Sequence, residues 1–150
     1  MLNFSLSDQQ IKLVADIKAF AQKNLGTDLI ERDLNGVFDA EGWQKCADFG
    51  IQGIFVPKKY GGQFEEPSLI TAVLAIEALG YGCKDAGLCF SLSSQIWPVQ
   101  TAIEEFGSEE QKMRFLPPMC KGATIACHAL TEPDSGSDVF NLSTTAKKVE

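Results

Sequence analysis

The segment that most constrains the fold is SLITAVLAIEALG, residues 68–80, which is apolar on almost every side. A helix with no polar face has to be covered by other elements all round, as happens at the centre of a helical bundle. The sequence therefore predicts a bundle in which the helix at about 67–80 is the most buried. Pro67 fits the first turn of that helix, because an N–H at that position would have no helical partner.

Start and stop signals predict further helices on both sides. Capping boxes of the form S-x-x-Q stand at residues 7–10 and 108–111, where serine and glutamine each accept a hydrogen bond from a backbone N–H. Asp39 and Asp85 are N-cap candidates, and Pro98 suits the start of a helix. The further predicted helices cover about 8–25, 40–49, 86–97, 98–106 and 109–116, the last with room for one more turn to 120. A polar connection is predicted at 27–38.

The pattern changes at Thr124. TIACHAL (124–130) and STTAKKVE (143–150) are short and strand-like, and the turn-forming LTEPDSGSD (130–138) stands between them. Two strands do not complete a sheet. The predicted fold class is therefore mainly α, with a helical bundle at 1–122 followed by the first strands of a β-domain at 123–150. On this interpretation the chain is a fragment of a longer polypeptide.

Composition argues against several classes of function. The net charge of −7 disfavours binding to nucleic acid or to an anionic membrane. The first ten residues contain neither a basic start nor a long apolar run, so no targeting segment or membrane anchor is expected, and a cytoplasmic protein is predicted. Five cysteines without a C-x-x-C pair, together with one histidine, predict reduced thiols and no metal site.

Familiar catalytic motifs are absent. GYGCKD, residues 80–85, begins like G-x-G-x-x-G but has Asp85 in place of the last glycine. Cys127 and His128 are neighbours on a predicted strand, so their side chains would point to opposite faces and would not form a catalytic pair. From the residues alone, His128 is interpreted as a strand residue satisfied by a local hydrogen bond.

The turn at 130–138 is the strongest candidate for a binding site. Thr131, Ser135 and Ser137 offer hydroxyls, and Gly136 lets the backbone approach a ligand closely. Successive N–H groups in such a turn can bind a phosphate or the polar edge of a flat heterocycle. The alternative is a turn that only caps itself through its own side chains. Composition alone favours that alternative.

Longer motifs favour the binding site over the turn that only caps itself. ALTEPDSGSDV, residues 129–139, resembles the signature of the acyl-CoA dehydrogenase family, which are flavin-dependent oxidoreductases of thioesters. SDQQ resembles the start of the family's first helix, GWQKCADFGIQGIFVPKKYGG its second helix and loop, and FGSEEQKMRFLPPMCKG the helix that leads into the β-domain. The resemblance covers essentially all 150 residues.

The resemblance implies an N-terminal helical domain, a middle β-domain and a C-terminal four-helix domain, with FAD held between them. The substrate would be an acyl thioester of CoA or of a carrier protein, oxidised to the α,β-enoyl thioester. A glutamate base would remove the α-proton, and the β-hydride would pass to flavin N5. That base lies in the C-terminal domain, so no catalytic residue is assigned in this chain, and Glu132 is predicted to stabilise the turn. A flavoprotein or oxygen as electron acceptor and a homotetramer or homodimer are also implied.

The same resemblance assigns the site residues. Leu130 would pack on the flavin ring, and Thr131 would hydrogen-bond the pyrimidine edge. Gly136 and Ser137 would meet the ribityl–pyrophosphate part. The cofactor-binding positions are thus His128, Leu130, Thr131, Gly136 and Ser137. The substrate-binding positions are Ser137, Phe90, Ser91, Ser94 and Gln95. The polar members of the second set would suit a short or functionalised acyl group, although their hydroxyls could equally face solvent or bond to their own helix.

His128 stands where many family members carry an aromatic residue. Together with GYGCKDAGLCFSLSSQ, residues 80–95, it resembles the branch that oxidises acyl or aminoacyl groups tethered to carrier proteins. Three functions therefore stay open. They are a dehydrogenase of acyl-CoA esters, a dehydrogenase or oxidase of a carrier-tethered (amino)acyl group, and a non-catalytic helical interaction module derived from the family.

Overall fold

The computed structural model describes residues 5–149, and within them the fold is mainly helical. Two short 3-10 turns, Ile51–Gly53 and Lys58–Tyr60, lie between the third and fourth helices. The α-helices of the described residues are α1 (Asp8–Asn24), α2 (Leu29–Leu34), α3 (Ala40–Phe49), α4 (Leu69–Gly82), α5 (Ala86–Gln95), α6 (Thr101–Phe106) and α7 (Glu109–Cys120). The mainly α fold class is confirmed. The expectation of no targeting segment concerns residues 1–10, of which the first four lie outside the described part.

The four predicted N-caps are confirmed at atomic detail, whereas Pro67 lies before α4 rather than in its first turn, because Ser68 is the N-cap. Ser7 Oγ accepts from the Gln10 N–H at 3.2 Å, and Gln10 Oε1 accepts from the Ser7 N–H at 2.9 Å. The capping box at 108–111 has the same two hydrogen bonds. Asp39 caps α3 and Asp85 caps α5 through single backbone N–H groups. Such caps each contribute about 0.5–2 kcal/mol to helix stability.

Pro98 does not separate two helices as predicted. α5 continues into a π-helical turn, Ile96–Gln100, and this turn leads directly into α6. Proline lacks the N–H for an ordinary helical bond, and the wider turn accommodates this loss without a break. The Thr101 hydroxyl donates to the Ile96 carbonyl at 3.2 Å and adds a bond inside the turn. The polar connection predicted at 27–38 also contains a helix, the short α2.

The core lies between α1, α3, α4 and α5. α1 packs along α4 over most of its length. Alanines at 72, 75 and 78 of α4 are fully buried and let the two helices approach closely. The largest buried apolar side chains of this core are Ile17, Trp43, Ile51, Ile54, Leu79, Leu88, Leu92 and Ile96.

α4 is not buried all round, so that prediction is wrong for the described chain. Its buried face consists mainly of alanines, whereas Leu69, Ile70 and Val73 on another face are 57%, 64% and 50% exposed. The reason is that α1 and α5 cover only part of the helix surface. Apolar composition indicated that α4 needs cover, but it did not indicate which face receives it. None of the described helices combines the length and apolar composition needed to cross a bilayer.

The chain after α7 is extended, and its described residues form no hydrogen-bonded strand. Pairing there is limited to an isolated bridge between Glu132 and Ser135. The described residues of the two segments predicted as strands, 124–130 and 143–150, therefore do not pair with each other. A strand needs a partner to satisfy its backbone groups, and the described residues supply none for these segments. The domain division at 122/123 stays a prediction.

Candidate functional site

Two contacts fix where the turn segment leaves the helical bundle. Trp43 Nε1 donates to the Gly122 carbonyl at 3.2 Å and holds the exit of α7 against α3. Four residues later, the Ala126 N–H donates to Gln95 Oε1 at 3.0 Å. Gln95 is fully buried at the end of α5, so this second hydrogen bond ties the extended chain to the bundle interior. The segment thus reaches the turn at 130–138 from a defined starting point.

Backbone hydrogen bonds close the first part of the turn. The Glu132 N–H donates to the Ser135 carbonyl at 2.9 Å, and the Ser135 N–H donates to the Glu132 carbonyl at 3.2 Å. Ser135 is buried, and its hydroxyl donates to the Asp138 carbonyl. Asn141 donates to Asp138 through both its backbone N–H and its side chain. These contacts match the predicted alternative of a turn that caps itself, but they involve only part of the turn.

The tip of the turn has polar groups that no protein atom satisfies. Among the described residues, the hydroxyls of Thr131 and Ser137 and the N–H groups of Gly136 and Ser137 have no hydrogen-bond partner. A Cβ added at Gly136 would meet no atom within 4 Å. The tip therefore offers exposed donors beside open space, which is the arrangement that an anionic or polar ligand needs. His128 and Leu130 are also exposed.

Glu132 holds the return segment of the chain against the turn. Its Oε2 accepts from the N–H and the hydroxyl of Ser143, both at 2.8 Å, and its Oε1 accepts from the Thr144 N–H at 2.9 Å. The side chain and N–H of Thr144, with the donors of Ser143, lower the pKa of Glu132 to about 2. Because this pKa is lowered, the stabilisation is complete above the ordinary carboxylate pKa and is lost only as the pH falls towards 2. The predicted turn-stabilising role of Glu132 is confirmed.

The predicted substrate residues on α5 do not share one environment. Phe90 is 74% exposed, whereas Gln95 is fully buried and contacts the turn segment. The Ser91 hydroxyl donates to the Gly87 carbonyl at 2.9 Å, as in the alternative of a hydroxyl that bonds to its own helix. The hydrogen bond to Ala126 thus places Gln95 beside the segment that leads to the turn. Ser94 is half-buried beside Gln95.

An apolar groove of about 560 Å³ lies beside the start of the turn segment. Its walls come from the π-helical turn, α6, α7 and residues 124–126, and they include Val99, Ile103, Phe115, Met119 and Ala126. Ala126 is the residue whose N–H reaches Gln95. A larger cavity of about 710 Å³ lies on α1 and α4 and contains none of the predicted site residues. The groove is thus a concave surface beside the segment that leads to the turn.

A buried ion cluster lies at the start of α5, and the sequence pattern did not identify its cation. Arg32 on α2 approaches Asp85 at 2.8 Å and Asp39 at 3.3 Å, and all three side chains are at least four-fifths buried. Burial opposes ionisation of Asp85, but the Leu88 N–H and the Arg32 guanidinium outweigh it and lower the pKa of Asp85. Both aspartates were predictable as N-caps from local sequence. Arg32 lay in the predicted polar connection, and no local signal joined it to them.

Within residues 5–149, no three histidine, cysteine, aspartate or glutamate side chains come together as a metal site would require. The cysteines are unpaired thiols, most of them buried, and Cys127 is exposed next to His128. The exposed donors at the tip of the turn thus stay the main chemical feature of this region.

Comparison with known proteins gives a consistent set of relatives. The sequence profile of the acyl-CoA dehydrogenase N-terminal domain matches residues 7–123. A short-chain-specific acyl-CoA dehydrogenase of Megasphaera elsdenii is 32% identical over 98% of this chain and 38% of its own length.

Two solved structures share the fold. The prolyl acyl carrier protein oxidase AnaB is 44% identical, with a TM-score of 0.91 over 97% of this chain and 38% of its own. PigA, solved with FAD and proline, is 34% identical, with a TM-score of 0.90 over 99% of this chain and 38% of its own. The chain therefore spans about two fifths of the length of the relatives that it matches.

Proposed function

Because this chain belongs to the acyl-CoA dehydrogenase family, we propose that the whole protein uses FAD to oxidise an acyl thioester to the α,β-enoyl thioester. The chain supplies the helical domain and the part of the FAD site that lies in the turn at 130–138. The observation that carries this proposal is the tip of the turn, where the N–H groups of Gly136 and Ser137 point to no protein partner in the described residues. A relative with the same fold was solved with FAD.

The residues present suit the cofactor chemically. The free N–H groups of Gly136 and Ser137 would bind the pyrophosphate, an anion that backbone N–H groups hold well. The exposed Leu130 side chain would pack on the flavin ring, and the Thr131 hydroxyl would hydrogen-bond its pyrimidine edge. His128 would lie beside the ring. When bound, FAD would supply the hydride acceptor, and the role of this chain is to hold and orient it.

No general base is assigned to this chain. Glu132 is one of three carboxylates in the turn, and its hydrogen bonds hold its pKa at about 2. A carboxylate that weakly basic is poorly matched to proton removal near neutral pH. The proposed mechanism therefore takes its glutamate base from a part of the protein beyond these residues.

We further propose that the thioester is carried by a carrier protein rather than by CoA. The similarity to AnaB, whose substrate is a prolyl group on a carrier protein, supports this choice, as does His128 in place of an aromatic residue. Lys58 and Lys59 already pair with Glu65 at 3.0 Å and Glu109 at 3.7 Å. We therefore place the main docking surface for the carrier outside this chain.

If the substrate is bound to a carrier protein, the rate of flavin reduction should depend on whether the acyl group is presented on a carrier protein or on CoA. When the same acyl or aminoacyl group is presented to the full-length protein on a carrier protein and on CoA, flavin bleaching should be faster with the carrier-bound form. Anaerobic stopped-flow absorbance at matched concentrations measures both rates. Faster reduction of the flavin by the CoA ester would contradict the proposed carrier-protein substrate and would indicate an ordinary acyl-CoA dehydrogenase.

Thr131 gives a residue-level test of the cofactor assignment. Thr131→Val keeps the side-chain shape but removes the donor, so FAD binding by the full-length protein should weaken by about 1–3 kcal/mol. Titration of the apoprotein with FAD measures the change. Thr145→Val is the matched control, since Thr145 is exposed beyond the turn and should leave affinity unchanged. If the Thr131 variant and the wild type bind FAD with equal affinity, Thr131 does not hydrogen-bond the flavin.

The electron acceptor, the assembly and the location are proposed on the same basis. AnaB is an oxidase, whereas other relatives are dehydrogenases, so oxygen and a flavoprotein are both kept as acceptors. A homotetramer or homodimer follows from the family resemblance. The unpaired thiols support a cytoplasmic location, because disulfides are rare in reducing compartments.

A non-catalytic helical module is the second candidate function, and it predicts no FAD binding by the full-length protein.

A further inference from the structure

Glu132 has no place in the chemistry proposed above, yet it makes the most concentrated set of contacts in the turn region. Its carboxylate accepts from two donors of Ser143 and from the Thr144 N–H, all within 2.9 Å. These partners lie eleven and twelve residues further along the chain. The contacts are therefore not those of a local cap. They close the stretch from 132 to 144 into a loop.

The backbone N–H groups that we propose bind the cofactor lie near the middle of this loop. Gly136 and Ser137 are separated from both ends of the closure, and they make no hydrogen bonds of their own in the described residues. Their orientation thus depends on the contacts around them, which are the bridge from Glu132 to Ser135 and the clamp from Glu132 to Ser143 and Thr144. Glu132 takes part in both, through its backbone in the first and its side chain in the second.

Two physical effects of Glu132 on an anionic cofactor oppose each other. A carboxylate near a pyrophosphate repels it, and removal of the charge would then tighten binding. An open loop has to be ordered when the cofactor binds, and loss of the clamp would then weaken binding. The repulsion is screened, because the side chain is in contact with water and its charge is spread over several donors. The ordering effect should therefore dominate.

We propose that Glu132 is a positioning residue of the FAD site, which holds the loop at 132–144 closed so that Gly136 and Ser137 face the cofactor; this inference rests on the proposed function. The low pKa of Glu132 supports it, because the carboxylate stays ionised and able to accept all its hydrogen bonds throughout the neutral range. The role is indirect, since Glu132 itself need not touch FAD.

The test uses the full-length apoprotein, FAD titrations and thermal unfolding of the same samples. Glu132→Gln keeps the size of the side chain but places an amide NH₂ against backbone donors, so the dissociation constant for FAD should rise at least about tenfold. Ser143→Ala removes one donor and should have a smaller effect. Because Ser143 acts through Glu132, the double variant should be no worse than Glu132→Gln alone. Glu66→Gln, a change at an exposed carboxylate away from the turn, is the matched control.

A purely structural role would lower the unfolding temperature of the apoprotein in parallel with FAD affinity. The positioning role predicts unchanged unfolding of the apoprotein, faster amide hydrogen exchange at Ser143 and Thr144, and partial rescue of affinity in Glu132→Asp. An unchanged or lower dissociation constant in Glu132→Gln, or a parallel loss of stability, overturns the inference while leaving the proposed function intact. A wild-type protein that binds no FAD overturns the proposed function, and the inference with it.

Discussion

Replacing Leu79 with alanine should lower the free energy of unfolding by about 2–5 kcal/mol. Leu79 is fully buried on the face of α4 that packs into the core. Truncation there removes several buried carbon atoms and leaves a cavity that the close-packed helices cannot fill by collapsing. Equilibrium denaturation in urea, followed by far-ultraviolet circular dichroism, measures the loss.

Ile70→Ala on the same helix is the control for this prediction. Ile70 is 64% exposed, so its truncation should change the free energy of unfolding by no more than about 0.5 kcal/mol. Similar losses at the two positions would show that α4 is covered on both faces, as its apolar sequence alone suggested. They would then contradict the one-sided packing described here.

Gly62→Ala should be the most damaging glycine substitution in the loop after α3, with a loss of about 3 kcal/mol, at the upper end of the usual range for overpacking. A Cβ at this position would lie 1.6 Å from the Val56 carbonyl oxygen and 2.9 Å from that of Gly53. Both neighbours are backbone atoms, so no side-chain rotation can relieve the clash. The loop itself would have to open.

Gly80→Ala tests the same substitution where there is room. A Cβ added at Gly80 would meet no atom within 4 Å, and the residue lies inside α4. Because alanine restricts the unfolded chain and favours a helix, stability should rise by about 0.5–1 kcal/mol. The two variants should thus shift the urea midpoint in opposite directions. A midpoint that does not fall for Gly62→Ala would mean that the loop at 56–62 does not pack as described.

The features that could be predicted from the sequence are the local ones. Ser7, Asp39, Asp85 and Ser108 all cap helices as expected, because a cap depends on residues only three positions apart. The junction at Pro98 was mispredicted, since proline can open a helix or be absorbed in a wider turn, and only the packing of α5 and α6 decides between them.

Contacts between distant segments could not be predicted in the same way. The exposure of α4 depends on which neighbours reach it, and its sequence is apolar on both the covered and the open face. Arg32 is joined to Asp85 across fifty-three residues, and no local pattern marks such a pair. Pairing of strands likewise needs partners that a local pattern does not supply.

The candidate site was found through resemblance rather than through composition. LTEPDSGSD on its own predicts a turn, and the described structure does cap part of that turn internally through Ser135 and Asp138. The family signature directed attention to the positions that remain unsatisfied, above all Gly136 and Ser137. The clamp from Glu132 to Ser143 and Thr144 was foreseen only as a stabilising role, because its partners lie beyond the motif.

The visible absorption spectrum of the full-length protein, recorded anaerobically before and after addition of an acyl or aminoacyl thioester, tests most directly whether this chain is part of a flavin-dependent thioester oxidoreductase. We expect a bound flavin after purification or after reconstitution with FAD, and we expect its absorption band to bleach when the thioester is added. A protein that retains no FAD under either condition, or a bound flavin that no thioester on CoA or on a carrier protein reduces, would contradict the proposed function.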